Sequence, residues 1–130
     1  METDIELKTP MVEVWENVIL VPIIGILDTH RAEIVSEKLL DKVVKEEARF
    51  VIIDINGVEA MDTRVVKHLI DIIKALELMG SKAVISGMRV DVAKTLVGLD
   101  ATFQVPTFNV LRRALKYVFD LMDINVVEQG

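Results

Sequence analysis

Apolar side chains recur along the chain with two different periods, and each period predicts its own kind of element. Apolar and polar residues alternate over residues 11–15, which is typical of a strand with one exposed face. Residues 50–55 and 82–86 are nearly continuous apolar runs, as expected for strands buried within a parallel sheet. Over residues 62–79 the apolar positions are spaced three and four apart, which predicts an amphipathic helix.

Turn and capping residues complete this pattern into the order β-β-α-β-α-β-α-β-α. The first two strands form a hairpin that turns at Glu16 and Asn17. Asp28, Asp62 and Thr107 are predicted helix N-caps. The predicted elements cover residues 11–15, 18–26, 28–47, 50–55, 62–79, 82–86, 90–97, 102–105 and 107–123. Because a helix-length connection between strands requires a parallel neighbour and a right-handed crossover, the predicted fold class is α/β with a small mixed sheet.

Length and composition indicate one domain. The chain has 130 residues, of which 52% are apolar, and no repeat or Pro/Gly/Ser-rich linker divides it. We therefore expect a single domain over residues 1–130, with a core at about 10–121 and a loose tail at 124–130. The longest uncharged apolar run, residues 18–27, is far below the roughly 20 residues of a membrane-spanning helix. The first residues are acidic, unlike those of a signal peptide, so the expected location is the cytoplasm.

Several classes of function are disfavoured by the side chains that the chain lacks or places singly. The formal net charge of −6 argues against a sequence-independent nucleic-acid binder. There is no Cys and there are only 2 His, which argues against thiol catalysis and the usual zinc sites. The glycines form neither a P-loop nor a dinucleotide-binding loop. We therefore predict no catalytic residue, no metal and no cofactor.

Asp54 ends the buried strand predicted over residues 50–55, which is where a receiver domain carries its phosphorylated Asp. The companion features of a receiver, an acidic pair after an earlier strand and a Lys after a fifth strand, are missing. A carboxylate at such a position also commonly binds loop amides. A receiver-like domain phosphorylated on Asp54 is kept as an alternative.

The loop that follows this strand leads to Asp62 and Thr63, which begin a predicted helix. Binding crevices in open α/β sheets form beyond the carboxyl ends of the strands, where this loop must lie. Thr63 is predicted at the first helical position, where unpaired N–H groups and the helix dipole favour an added anion. A phosphate on Thr63 would add nearly two negative charges beside Asp62. The alternative is that these two residues only begin a helix.

Three segments carry a resemblance to a known family. Residues 21–32, 52–63 and 80–89 occur in the order and at the separations of a STAS domain, the module of anti-sigma factor antagonists and sulphate-transporter tails. The resemblance covers about residues 10–119. Its nearest form is similar to the C-terminal domain of the co-antagonist scaffold proteins of the bacterial stressosome.

The resemblance implies two phosphorylation sites. Thr63 matches the phosphorylatable Ser or Thr that follows an Asp at the start of the family's second helix. Thr95 matches a second phosphoacceptor Thr of the co-antagonist branch, whose single-domain partners usually have Ser at the first position. The residue pattern also places Thr95 on the outer side of its short helix, with Val92 and Val97 among the residues facing inward.

The resemblance further implies a non-enzymatic, phospho-regulated binding module in a stress-response pathway that works by partner switching. Its partners would be a serine/threonine kinase or an anti-sigma factor of the histidine-kinase-like ATPase fold, and other STAS proteins, with possible homo-oligomers. Besides Thr63, the residues expected on the partner-binding surface are Asn56, Gly57, Met61, Asp62, Gly87, Met88 and Arg89. Two further alternatives are a direct anti-sigma factor antagonist acting alone and a purely structural assembly module.

Two features depart from the family pattern. The family commonly has Pro where Val90 opens the short helix, and Val can be accommodated there. Full co-antagonists also carry a separate N-terminal sensory domain, whereas only about ten residues precede the first predicted strand here. The chain is therefore either a fragment of a longer protein or a free-standing STAS protein.

Overall fold

The structure, a computed structural model, describes residues 9–59, 62–99 and 104–124. These residues contain four strands and four helices. In chain order they are β1 (Val12–Trp15), β2 (Val18–Pro22), α1 (Thr29–Glu46), β3 (Phe50–Asp54), α2 (Thr63–Leu78), β4 (Lys82–Ser86), α3 (Val90–Gly98) and α4 (Leu111–Leu121). The predicted α/β class, with an N-terminal hairpin followed by βαβ units, is confirmed.

The four strands form one mixed sheet in the order β1-β2-β3-β4. β1 is antiparallel to β2, and the other neighbours are parallel. The apolar runs of β3 and β4 form central strands because both sides of the sheet are covered. Alternate residues, such as Ile53 and Ile52, point into two separate cores.

The larger core lies between one face of the sheet and the helices α1, α2 and α3. The smaller core lies on the other face, where Ala114 and Val118 of α4 pack against Phe50, Ile52 and Val84. This division explains why the strands carry apolar residues at consecutive positions, since a half-exposed sheet would show alternation instead.

The caps of the two long helices agree with the sequence. A carboxylate oxygen of Asp28 accepts a hydrogen bond from the Arg31 amide at 2.8 Å, which begins α1. The carboxylate of Asp62 accepts one from the Val65 amide at 2.9 Å, which begins α2. Each cap satisfies an N–H group that has no partner within its helix.

The strand predicted over residues 18–26 is wrong at its end, because β2 stops at Pro22. Gly25 has a φ of +89°, outside the extended region, and pairs with Val58 in an isolated bridge. The segment from Ile23 to Leu27 therefore runs as a loop over the carboxyl end of the sheet.

The predicted start of the last helix at Thr107 is also wrong. Ile85 of β4 donates its amide to Pro106 O and accepts from the Phe108 amide, both at 2.9 Å. This pairing puts Thr107 in an isolated parallel bridge beside β4, and α4 begins only at Leu111. The strand predicted over 102–105 lies partly outside the described residues, and Gln104 and Val105 are not in a strand.

On α3, Val97 was predicted to face inward but is 81% exposed. Val92 and Leu96, four positions apart, are the buried residues of this helix. Since α3 packs against α2 along this one stripe, Val97 points away from the core. None of the helices within the described residues combines the length and apolar character needed to cross a membrane.

Candidate functional site

The loops after β2, β3 and β4 meet at the carboxyl end of the sheet. Gly25 of the first loop donates its amide to Gly57 O of the second at 2.9 Å. The second loop is joined to β4 by the Ile55 amide, which donates to Ser86 O at 3.0 Å. We call the described candidate residues here the strand-end surface: Asn56, Gly57, Asp62, Thr63, Met88 and Arg89, together with Gly87, which is buried against Asn56. The candidate Met61 lies outside the described residues.

Thr63 is the first residue of α2, and both Thr63 and its neighbour Asp62 are exposed. The Asp62 carboxylate accepts from the Val65 amide, so it occupies the N-cap position. The Thr63 side chain is thus presented to solvent at a helix N-terminus, where the positive end of the helix dipole lies. A partner or a modifying enzyme can approach it without displacing core residues.

Asp54, at the end of β3, holds the loop that follows it. One of its carboxylate oxygens accepts from the Asn56 amide at 3.0 Å, and the other accepts from the Ser86 hydroxyl at 2.6 Å. Both oxygens are therefore engaged in fixing the ends of β3 and β4. These contacts favour a structural role for this carboxylate over that of a receiver phosphoacceptor.

Two glycines allow the loops of the strand-end surface to approach each other. Gly87 has a φ of +73°, and a Cβ on it would lie 2.5 Å from the backbone nitrogen of Asn56. A Cβ on Gly57 would lie 3.2 Å from Cγ1 of Ile24. A side chain on Gly87 would therefore require the loop at Asn56 to move, whereas one on Gly57 would require only a small shift of the Ile24 side chain.

Arg89 and Met88 join the strand-end surface to its surroundings. The Arg89 guanidinium donates to Val58 O and forms an ion pair with Asp91, with Nε 3.2 Å from Oδ1. Met88 is half-buried against the larger core, and its amide donates to Phe108 O at 3.1 Å. Both residues are thus partly engaged in holding the loop after β4 in place.

Thr95, the second candidate acceptor, lies on α3. Its hydroxyl donates to the carbonyl oxygen of Asp91 at 3.1 Å, one turn earlier. The sequence predicts an outward position for Thr95, and the side chain is half-buried. Thr95 is therefore less exposed than Thr63, and its hydroxyl is engaged in a hydrogen bond.

No group of three or more His, Asp or Glu side chains within the described residues is arranged to hold a metal ion. Comparison with known proteins decides the family, because a family model described as the STAS domain matches residues 9–114. The chain belongs to the STAS domain family. The predicted family and the similarity to co-antagonist proteins are confirmed.

The RsbT co-antagonist protein RsbRA of Bacillus subtilis (strain 168) is 38% identical to this STAS chain over 127 residues. These residues cover 96% of this chain and 46% of RsbRA. The chain spans less than half the length of the B. subtilis co-antagonist proteins that it matches.

Solved structures agree with this STAS fold. A variant of RsbS from Moorella thermoacetica is 26% identical and has a TM-score of 0.78, covering 90% of this chain and 99% of that one. A chain in a solved structure of the molecular architecture of the stressosome is 24% identical to this chain and has a TM-score of 0.72. The match covers 88% of this chain and all of that one. Because the stressosome chain is only 24% identical to this chain, its similarity supports the fold alone.

The STAS structure also shows residues that the sequence analysis missed. Ile24 and Ile26, in the loop after β2, are 51% and 63% exposed, and Ile24 lies beside Gly57. Arg31, in the first turn of α1, is buried and is hydrogen-bonded to this loop. The signal for the loop was present in the sequence: Pro22 and Gly25 interrupt the apolar run that was assigned to β2.

Proposed function

We propose that this STAS domain is a non-enzymatic, phospho-regulated binding module of a bacterial partner-switching pathway, and that Thr63 is its phosphoacceptor. The observation that carries the proposal is the exposed position of Thr63 at the start of α2. The 38% identity to a protein named as an RsbT co-antagonist supports the pathway. We also propose that the domain assembles with other STAS domains in a stressosome.

A phosphate on Thr63 would change the strand-end surface in two opposing ways. It would meet the positive end of the α2 dipole, which favours its negative charge. It would also stand next to the Asp62 carboxylate, which repels it and already accepts the Val65 amide. The modification would therefore alter both the charge and the local contacts of a surface that a partner contacts.

The partner class is a serine/threonine kinase or an anti-sigma factor of the histidine-kinase-like ATPase fold. Residues of three separate loops form the surface offered to it, since Gly25 is hydrogen-bonded to Gly57 and since Gly57 and Gly87 let the loops approach closely. The exposed side chains of Ile24 and Ile26 add apolar area beside the charged groups. A surface with an apolar part and a chargeable centre can bind a partner before phosphorylation and release it afterwards.

Thr95 is proposed as a second acceptor. Its hydroxyl donates to Asp91 O, so a kinase must first rotate the side chain away from that carbonyl. At equal kinase concentration, modification of Thr95 is therefore expected to be slower than that of Thr63.

The first experiment compares Thr63→Ala and Thr63→Asp for retention of a kinase of this class. Because Thr63→Asp adds a negative charge beside Asp62, it should change the affinity by about 1–3 kcal/mol relative to Thr63→Ala, the usual size of such coupling energies. Thr107→Asp is the matched control, since Thr107 is also exposed but lies beside β4.

The same preparations are treated with ATP and kinase and analysed by peptide mass spectrometry. Acid-stable phosphate is expected on Thr63 in the parent chain and is lost in Thr63→Ala. Equal kinase retention by Thr63→Ala and Thr63→Asp would contradict the proposal. Acid-labile phosphate on Asp54 would instead support the receiver alternative.

A further inference from the structure

Arg31 is an unusual residue of α1 because it is only 7% exposed although it carries a charge. Its guanidinium donates to Ile26 O at 2.8 Å and to the hydroxyl of Thr9, which is itself buried. Burying a guanidinium is costly unless its N–H groups find acceptors. The positions of Thr9 and of the loop after β2 are therefore linked through one side chain.

The loop is held from both sides by this residue. The Arg31 backbone amide donates to the Asp28 carboxylate at 2.8 Å, while its side chain reaches back to Ile26 O. Nη1 also lies 3.6 Å from the place where a Cβ on Gly25 would stand, so the guanidinium is in van der Waals range of that position. Because Ile26 directly follows Gly25, loss of the hydrogen bond from Arg31 to Ile26 O would free the backbone next to Gly25.

Gly25 in turn holds the loop that leads to Thr63. Its amide donates to Gly57 O and its carbonyl accepts from the Glu59 amide, both at 2.9 Å. Glu59 lies three positions before Asp62, the N-cap of α2. The described contacts thus run from Thr9 through Arg31 and Gly25 to Glu59.

We propose that Arg31 is a positioning residue that couples Thr9, at the beginning of the described chain, to the loop that presents Thr63. A change in the conformation of the chain at Thr9 would release Arg31 and loosen the pairing of Gly25 with Gly57 and Glu59. The last step, an altered modification of Thr63, rests on the function proposed above. The coupling between Thr9 and the loop does not rest on that function.

The test uses Thr9→Val and Arg31→Lys in the full chain. Thr9→Val removes only the hydroxyl acceptor, and Arg31→Lys keeps the charge but loses the planar fork that reaches two acceptors. Arg49→Lys is the matched control, because Arg49 is exposed and lies just before β3. Amide hydrogen exchange is measured residue by residue by NMR.

The expected result is that the amides of Gly25 and Glu59 exchange about tenfold faster in Thr9→Val and in Arg31→Lys, because their opening requires less free energy. The amides of Ile52 and Val84 in the central strands should keep their parent rates. Arg49→Lys should leave all four rates unchanged. If Arg31→Lys does not fold, Thr9→Val alone decides.

Two results would overturn the coupling: unchanged exchange at Gly25 and Glu59 in Thr9→Val, or an equal increase at Ile52 and Val84, which would mean general destabilisation. The initial rate of Thr63 phosphorylation is then measured on the same variants, and a change of about threefold or more is expected where the loop has loosened. A loosened loop with an unchanged rate overturns only this last step. If no kinase modifies Thr63 in any variant, including the parent, the proposed function fails while the exchange data still decide the coupling.

Discussion

At the scale of single residues, Gly87 and Gly80 adopt similar left-handed conformations in very different surroundings. Their φ angles are +73° and +84°. A Cβ on Gly87 would lie 2.5 Å from Asn56 N, whereas a Cβ on Gly80 would meet no atom within 4 Å. The pair therefore separates the cost of the backbone conformation from the cost of a steric clash.

We expect Gly87→Ala to lower the free energy of unfolding by about 2–4 kcal/mol, because a clash adds to the left-handed conformation. Gly80→Ala should cost only about 1–2 kcal/mol, since the conformation alone is disfavoured. Urea unfolding of both variants measures the difference. Equal losses would show that the loops after β3 and β4 can separate at little cost.

Glu13 and Glu46 are a second pair at this scale. A hydrogen bond between their carboxyl groups raises the pKa of Glu13. Lys42 Nζ lies 2.6 Å from Glu46 Oε1, and this hydrogen bond lowers the pKa of Glu46. Glu13 therefore stabilises the fold at low pH and loses this effect as the pH rises through its raised pKa. Glu46 stabilises the fold above its ordinary pKa and loses this effect as the pH falls through its lowered one.

In Glu46→Gln, we expect the pKa of Glu13 to fall, because the neighbouring negative charge is gone and the amide can donate to the ionised carboxylate. A carboxyl ¹³C NMR titration measures the pKa of Glu13 in the parent chain and in the variant. Glu16→Gln is the control, since Glu16 raises the pKa of Glu13 less than Glu46 does. A pKa of Glu13 that is unchanged in Glu46→Gln would refute the hydrogen bond as the cause.

At the scale of elements, the loop after β2 differs most from its sequence-based assignment. Pro22 and Gly25 divide an apolar run into a short strand and a loop, which leaves Ile26 63% exposed near the strand-end surface. Leu78, at the far end of α2, is 89% exposed. These two residues allow the same apolar-to-polar change to be made near the candidate site and away from it.

We expect Ile26→Ser to weaken binding of the kinase about fivefold to tenfold, because apolar area that the partner covers is lost. Leu78→Ser should leave the affinity unchanged. Calorimetric titration of each variant measures this, with circular dichroism to show that both are folded. The role of the loop would be disproved if Leu78→Ser weakened binding as much as Ile26→Ser.

The helices show which signals are local. Asp28 and Asp62 cap α1 and α2 as expected, because a cap bonds to an amide only three residues away. Thr107 was predicted by the same reasoning and does not cap a helix. Its neighbours Pro106 and Phe108 bond to Ile85, a partner more than twenty residues away in the sequence. The open edge of β4 therefore overrides the local preference.

At the scale of the whole molecule, the candidate residues come together because parallel strands end at one edge. The sequence predicts this meeting for the loops after β3 and β4, since each follows a buried strand. It does not predict that Ile24 and Ile26 join them. That depends on the two hydrogen bonds of Gly25 with the loop after β3, which involve backbone atoms that every residue carries.

The sequence by itself determined the α/β class, the central strands, the starts of the two long helices and the position of Thr63. These follow from periodicity and from contacts within one turn. Only the tertiary structure decided the start of α4, the exposure of Val97 and the burial of Arg31. Each of these depends on a partner distant in the chain, such as Thr9 for Arg31 or β4 for Thr107, and a local pattern carries no information about such a partner.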